Sequence, residues 1–359
     1  MTDSTLPTFE GAACPVPMRH DDQIVMGHGS GGRMTQELIA RVFTPAFANP
    51  ILAQSNDFAA FLLPPEAQLH GSLAISTDSH IVSPLFFAGG DIGRLAVCGT
   101  VNDVSMSGAQ PLYLTAGFII EEGLPVETLE RVVTSMQAAA LEAGVPIVAG
   151  DTKVVERGKA DGLFINTAGI GWIPAGRHIG GALAQPGDAV LISGAMGDHG
   201  IAVLSARGEL AFDAAVSSDV APLNALIRDI LQAAPGVRVL RDPTRGGLAT
   251  TLNEIAQQSN LCVEINEAAI PIHAPVQAAC DMLGFDPLYV ANEGKVIVIL
   301  PPDQVDAALN AMRQSPYGAE AAAIGVVKPI PARRVLMKTF IGGTRVLDVL
   351  AGEMLPRIC

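Results

Sequence analysis

Residues 126–143 read VETLERVVTSMQAAALEA, and after Gly144 the run Val145, Pro146, Ile147, Val148, Ala149 opens into Gly150, Asp151, Thr152, Lys153. The first stretch carries Leu129, Val132, Val133, Met136 and Ala140 at helical spacing, so one apolar stripe faces a core. The second is a short apolar run that predicts a buried strand over 145–149, with charge projecting from a turn at its end. A helix laid beside a buried strand is the unit of a layered α/β arrangement.

Outward from this pair the same alternation continues. Strands are predicted at 73–77, 112–120 and 163–171, then at 189–192, 237–240, 261–265, 295–300 and 323–327. Helices are predicted at 199–206, 223–233, 248–257, 274–282 and 304–313. Breaks at Pro174, Ala175, Gly176 and at Pro186, Gly187, Asp188 separate two halves of like style. A chain of 359 residues is too long for one ordinary core. The expected class is therefore α+β, with two α/β-layered domains. The divisions are a flexible extension over 1–20, an N-terminal domain over 21–176, a C-terminal domain over 177–332 and an end segment over 333–359.

Composition excludes several functions. Hydrophobic residues are 49% against 16% charged, which supplies a large interior. The net charge of −14 and aromatic content of 4% disfavour nucleic acid, whose binding needs cations for phosphates and rings for bases. Cys14, Cys98, Cys262, Cys280 and Cys359 are odd in number and without CxxC spacing, so neither a disulfide framework nor a zinc knuckle is expected. The first twenty residues lack a basic-then-apolar pattern, and the uncharged stretch 104–120 is broken by Ser, Gly, Gln and Pro. A soluble protein of the reducing cytoplasm, with no membrane partner, is the expectation.

Acidic residues recur where strands are expected to end: Asp57, Asp78, Asp103 and Asp151. Each alone reads as a turn or N-cap residue. Together, if they converge, they repel one another unless a cation intervenes, and Mg²⁺ shared with nucleotide phosphates is the natural one. Lys153 beside Asp151 suits a phosphoryl group or else forms a surface ion pair. The loop Gly29, Ser30, Gly31, Gly32 leads into a helical pattern, as does Asp242, Pro243, Thr244, Arg245, Gly246, Gly247; both are anion cradles or simple turns. Glu293 in Ala291, Asn292, Glu293, Gly294 reads by itself as an exposed turn acid. The chain ends Leu355, Pro356, Arg357, Ile358, Cys359, a thiol where chain ends are usually exposed. With Gly342, Gly343 and Gly352 upstream and Pro356 stiffening the last step, it reads as a nucleophile or carrier on a swinging arm.

These runs, with Ser76-Thr77-Asp78, Gly89-Gly90-Asp91-Ile92-Gly93, Gly99-Thr100-Val101-Asn102-Asp103 and Gly150 through Val155, resemble the HypE family of hydrogenase-maturation proteins, within the aminoimidazole ribonucleotide synthetase superfamily. The likeness spans residues 24–359, and the closing Pro356-Arg357-Ile358-Cys359 is its most specific part. The extension holding Cys14 departs from it. The resemblance implies a carbamoyl dehydratase using ATP and Mg²⁺, which turns a carbamoyl group on Cys359 into a thiocyanate for the iron of a NiFe hydrogenase. It implies a HypF-like carbamoyltransferase and a HypC–HypD iron scaffold as partners, and a homodimer whose N-terminal domains pair into a β-barrel. By position it implies that Asp57, Asp78, Asp103 and Asp151 hold Mg²⁺. Gly29, Ser30, Gly31, Gly32, Asn102, Thr152, Thr244 and Arg245 would embrace the nucleotide and tail, Lys153 would neutralise the transferred phosphoryl, and Glu293 would act as base. Two rivals stay open: another ATP enzyme of this fold, such as a selenophosphate synthetase-like protein, and a carrier whose thiol ferries a group without catalysis.

Overall fold

The computed structural model describes residues 32–38, 40, 59–62, 71–208, 215–350, 352, 355 and 357–359. Gly29, Ser30, Gly31, Asp57 and the extension 1–20 lie outside the described residues, and α1 (Arg33–Leu38) is a short helix at their margin.

The first layer is an open five-stranded sheet. It is built from β1 (Ala59–Leu62), β2 (Ser72–His80), β5 (Gln110–Glu121), β6 (Ile147–Val155) and β7 (Leu163–Ile173), in the order β1-β2-β7-β5-β6. Neighbours run antiparallel except β5 and β6, which are parallel. Parallel strands need a long crossover, and α3 (Val126–Ala143) supplies it. One face is covered by α2 (Ile92–Met106), which follows the two-residue strands β3 (Phe86–Phe87) and β4 (Gly90–Asp91). Asp91 caps α2 by accepting from the N–H groups of Gly93 and Arg94 at 2.7 and 3.1 Å.

The second layer is a seven-stranded sheet. Its strands are β8 (Ala189–Ile192), β9 (Val239–Arg241), β10 (Cys262–Asn266), β11 (Ile297–Leu300), β12 (Ala322–Lys328), β13 (Arg334–Lys338) and β14 (Thr344–Leu347), in the order β14-β13-β10-β12-β8-β11-β9. Strand alternation sends Ile192, Ile297 and Ile299 to one core and Leu191, Val298 and Leu300 to another. The first core includes Leu248, Leu252 and Ile255 of α6 (Gly247–Ser259). The second includes Leu226, Ile227 and Ile230 of α5 (Asn224–Ala233) and Met312 of α8 (Val305–Gln314). The helices α4 (Asp198–Ala206) and α7 (Ala274–Leu283) meet at a smaller cluster of Ile201, Val276, Ala279 and Val290. Among the described residues, no helix is long and apolar enough to cross a membrane.

Two expectations are corrected. Asp103 lies inside α2 and not at a strand end. That helix was hidden because 13 of its 15 residues are buried, which leaves no polar stripe to give a period. The predicted strand at 145–149 with a turn at 150–153 is instead β6, which carries Gly150, Asp151, Thr152 and Lys153 within it. It is an exposed edge strand, so its apolar residues signal an unfilled sheet edge and not a buried position.

Close approach of α2 to the sheet depends on missing side chains in β7. A Cβ on Gly171 would lie 2.4 Å from Val104 Cγ1, and one on Gly169 would lie 2.9 Å from Thr100 Cγ2. Gly171→Ala should therefore overpack this seam and cost about 1–3 kcal/mol. Urea unfolding checks it: an unchanged midpoint would show that the seam is not tight.

Candidate functional site

The end of the chain lies docked between the two layers. The Ile81 N–H donates to a terminal oxygen of Cys359 at 3.1 Å, and the Ser83 N–H donates to the Arg357 carbonyl at 3.3 Å. Arg357 Nε donates back to the Ile81 carbonyl at 3.1 Å, and its guanidinium pairs with Asp161. These bonds join the tail to the segment just beyond the end of β2. Arg207, at the end of α4, donates to the carbonyls of Ser83 at 2.8 Å and Arg357 at 2.6 Å. Ile358 is buried in the core of the first layer, beside Val203, Val220 and Ala291.

This docking holds Cys359 within electrostatic reach of Arg245. The terminal residue is the strongest influence keeping that guanidinium protonated; Asp78, Glu293 and Asp103 act in the same direction. Asp78 shares a face of β2 with Ser76 and His80, because the side chains alternate. The Ser76 hydroxyl donates to Asp103 at 2.8 Å, which ties β2 to α2. Gly99 of α2 leaves room here, since a Cβ would lie 3.0 Å from the His80 ring. His80 is buried, and desolvation keeps its imidazole neutral more strongly than Asp78 favours its charge.

Glu293 enters from the second layer and is only 4% exposed. Burial, then the carboxylates of Asp78, Asp242 and Asp219, push it well above the usual carboxylate range, with Arg245 opposing. Its backbone is fixed: the Glu293 N–H donates to Asp219 at 3.0 Å, and Asn292 donates through its amide to the Pro243 carbonyl at 3.0 Å. Gly247 has φ of 61° and stands where a Cβ would meet the carbonyls of Leu288 and Val290 at 2.6 Å. Only glycine there lets the turn bearing Thr244 and Arg245 pack against the strip leading to Glu293.

Of the other expected site residues, Asn102 adjoins Glu293: it is buried, with its amide donating to the carbonyls of Ala221 and Glu293 and its oxygen accepting from the Leu223 N–H. Asp151 and Lys153 pair with each other at 2.7 Å on β6, with side chains 70% and 68% exposed. Register places them away from Asp78: Asp78 faces Thr167, Thr167 faces Ala116, and Ala116 faces Gly150. Three strand spacings make about 14 Å. Thr152 lies on the same strand, and Gly32 is buried with its carbonyl accepting from the Gln36 N–H. Among the described residues no three metal-binding side chains converge. Asp78 and Asp103 still suit Mg²⁺ in the form that it takes with nucleotides, where one or two carboxylates act with the phosphates.

Residues 56–173 match the N-terminal domain of AIR synthase related proteins, and residues 185–336 match their C-terminal domain. The carbamoyl dehydratase HypE of Cupriavidus necator is 57% identical over 337 residues, spanning 94% of this chain and 95% of that one. The chain belongs to the HypE carbamoyl dehydratase family. HypE solved in complex with ATP superposes with a TM-score of 0.78 at 53% identity, covering 94% of this chain and all of that one. HypE from its complex with HypF gives 0.82 at 50% identity, over 87% and 99% of the two chains.

In this member of the HypE family, the groups that receive the tail carry little signal in the sequence. His199 and Arg207 on α4 bind its carbonyls, and Asp219 steadies Glu293. The signal available was Gly197-Asp198-His199-Gly200 opening a predicted helix, a polar patch in an otherwise apolar segment.

Glu293 gives a testable pH dependence. Its pKa is higher folded than unfolded, so between the two values the native state binds more protons and stability falls as pH rises. Glu293→Gln should raise the melting temperature at pH 8 by about 3 °C, and the gain should vanish below the unfolded carboxylate value, about pH 4. Calorimetry across that range checks it; a gain independent of pH would contradict the buried-carboxylate account.

Proposed function

We propose that this chain uses ATP to dehydrate a carbamoyl group carried on the thiol of Cys359, leaving a thiocyanate that serves as the cyanide source for a NiFe-hydrogenase iron. The observation that carries the reading is the docking of the tail on the Ile81 and Ser83 N–H groups, which holds Cys359 within electrostatic reach of Arg245, a guanidinium that Asp78, Asp103 and Glu293 also act on. The reaction converts S–C(=O)–NH₂ and ATP into S–C≡N, ADP and phosphate. The carbonyl oxygen leaves on phosphorus and both N–H protons are given up, so the net change is one water. An amide oxygen leaves poorly by itself, and the γ-phosphoryl group turns it into a good leaving group. Arg245 steadies negative charge on the oxygen being transferred. Glu293 takes an N–H proton, and its raised pKa makes it a stronger base than a surface carboxylate. The docked tail keeps bulk water from the activated carboxamide.

Mg²⁺, held by Asp78 and Asp103 together with Asp57 as the sequence leads one to expect, would screen the phosphates. A relative in complex with ATP supports nucleotide binding here, and a relative in complex with HypF supports a HypF-like donor of the carbamoyl group. The arm would leave its dock to meet that donor and then a HypC–HypD scaffold. The domain division at about residue 176 follows the two sheets.

We also infer a homodimer through the first sheet. Ile75, Ile170 and Tyr113 line up across its outer face in register, and each is exposed. Val148 and Val154 lie exposed on the β6 edge. A second copy would cover this apolar row, complete a barrel, and bring Asp151 and Lys153 toward the partner's tail site, which one chain leaves about 14 Å away by strand spacing.

Two measurements test this. Chain loaded with a carbamoyl group and given Mg-ATP should lose the mass of one water from its C-terminal peptide and release ADP; an unchanged peptide favours a non-catalytic carrier, and ATP consumption without change in the peptide favours another enzyme of the fold. Ile170→Asp should halve the mass by light scattering, and a wild-type monomer would overturn the dimer.

A further inference from the structure

The last three residues are held chiefly through their main chain. Carbonyl and carboxylate oxygens of Arg357, Ile358 and Cys359 all have donors, and these come from two elements far apart in sequence. Ile81 and Ser83, beyond β2, take the outer two, while His199, in the first turn of α4, takes the middle one. His199 Nε2 lies 2.9 Å from the Ile358 carbonyl, and its Nδ1 lies 2.8 Å from the Ser218 hydroxyl.

The hydrogen positions follow from the partners. A carbonyl only accepts, so Nε2 must carry the proton. In a neutral ring Nδ1 then accepts, and Ser218 is the donor; the same hydroxyl accepts from the Val220 N–H at 3.1 Å. The ring is fully buried, with its edge toward Phe87 at 5.5 Å between centroids. Desolvation favours the neutral form, opposed by Asp219 and the Ile358 carbonyl. Ser218 precedes Asp219, which receives the Glu293 N–H and pairs with Lys295 at 3.3 Å. One segment therefore supports both the ring that holds the tail and the backbone of Glu293.

We propose that His199 is a positioning residue for the chain's terminal thiol: its Nε2–H hooks the carbonyl next to Cys359 and fixes how far the tail enters the cleft. The hook reads the main chain, so it sets the register of the arm, whatever group the sulfur carries. It acts between the anchors at Ile81 and Ser83 and holds the residue between them. Arg357 has φ of 55°, a conformation that a bulky residue holds only when contacts on both sides impose it, and His199 supplies the contact on the thiol side. The catalytic value of the hook rests on the function proposed above, whereas the hook itself does not.

Alkylation of Cys359 by iodoacetamide, followed on the C-terminal peptide of the full chain, tests the hook without any turnover. His199→Leu should label about tenfold faster, as expected when one buried hydrogen bond holding the closed state is lost. His199→Gln keeps an amide nitrogen near the place of Nε2 and should label within about twofold of wild type. Equal labelling of wild type and His199→Leu overturns the proposal. Should His199→Leu fail to fold, nitrogen NMR of the wild-type imidazole, assigned by its absence in His199→Gln, decides: the Nε2–H tautomer is expected, and the Nδ1–H tautomer overturns it. If the labelling result holds but wild type shows no ATP-driven loss of water, the function fails and the hook stands. If wild type dehydrates its carbamoyl group and His199→Leu does so at the same rate, the positioning role fails and the function stands.

Discussion

The organising constraint is like charge gathered in a half-dry cleft. Asp78, Asp103, Asp242 and Glu293 come from four separate segments; Asp78, Asp103 and Glu293 act on one guanidinium, Arg245, and Asp78 and Asp242 act on Glu293. So many carboxylates cannot all ionise side by side without cations. Burial and the neighbouring carboxylates raise the pKa of Glu293, and Arg245 opposes them. A nucleotide's metal would add the missing positive charge, so the cleft is electrostatically prepared for a charged co-substrate before one arrives.

Much of the architecture serves to hold this cleft between two layers. The first sheet offers Asp78 from a strand and Asp103 from a helix that can lie close only because Gly169 and Gly171 have no side chains. The second offers Arg245 and Glu293 from two loops locked together by Asn292 and by the glycines at 246 and 247. The chain's own end then bridges them, with Ile358 in the core of the first layer and its carbonyl on α4 of the second. The tail thus contributes packing to the first layer. An arm that moves must give up a buried isoleucine each time, which limits how readily the thiol is exposed.

The local elements were legible because their patterns are clean. The stripe of Val126–Ala143 and the alternation of β7 both report one wet and one dry face. The helix Ile92–Met106 was illegible for the opposite reason: being buried on all sides it shows no period, and Asp103 was consequently assigned to a strand end. The β6 strand was misread because apolar residues on an uncovered edge look the same in sequence as apolar residues in a core. His199 is a single imidazole in an apolar segment, and nothing in its neighbours announces a carbonyl that lies 159 residues away.

By itself the sequence determined the two-layer class, the abundance of acids at predicted element ends, and the turn residues that carry Arg245 and Glu293. Those are properties of residue type and local spacing, which are fixed along the chain. Only the tertiary structure decided which acids meet, that Asp151 and Lys153 stand apart from Asp78 within one chain, and that the tail is received by α4. Such facts depend on strand order, register and burial, and these arise when distant segments share one core and their side chains compete for the same space and charge.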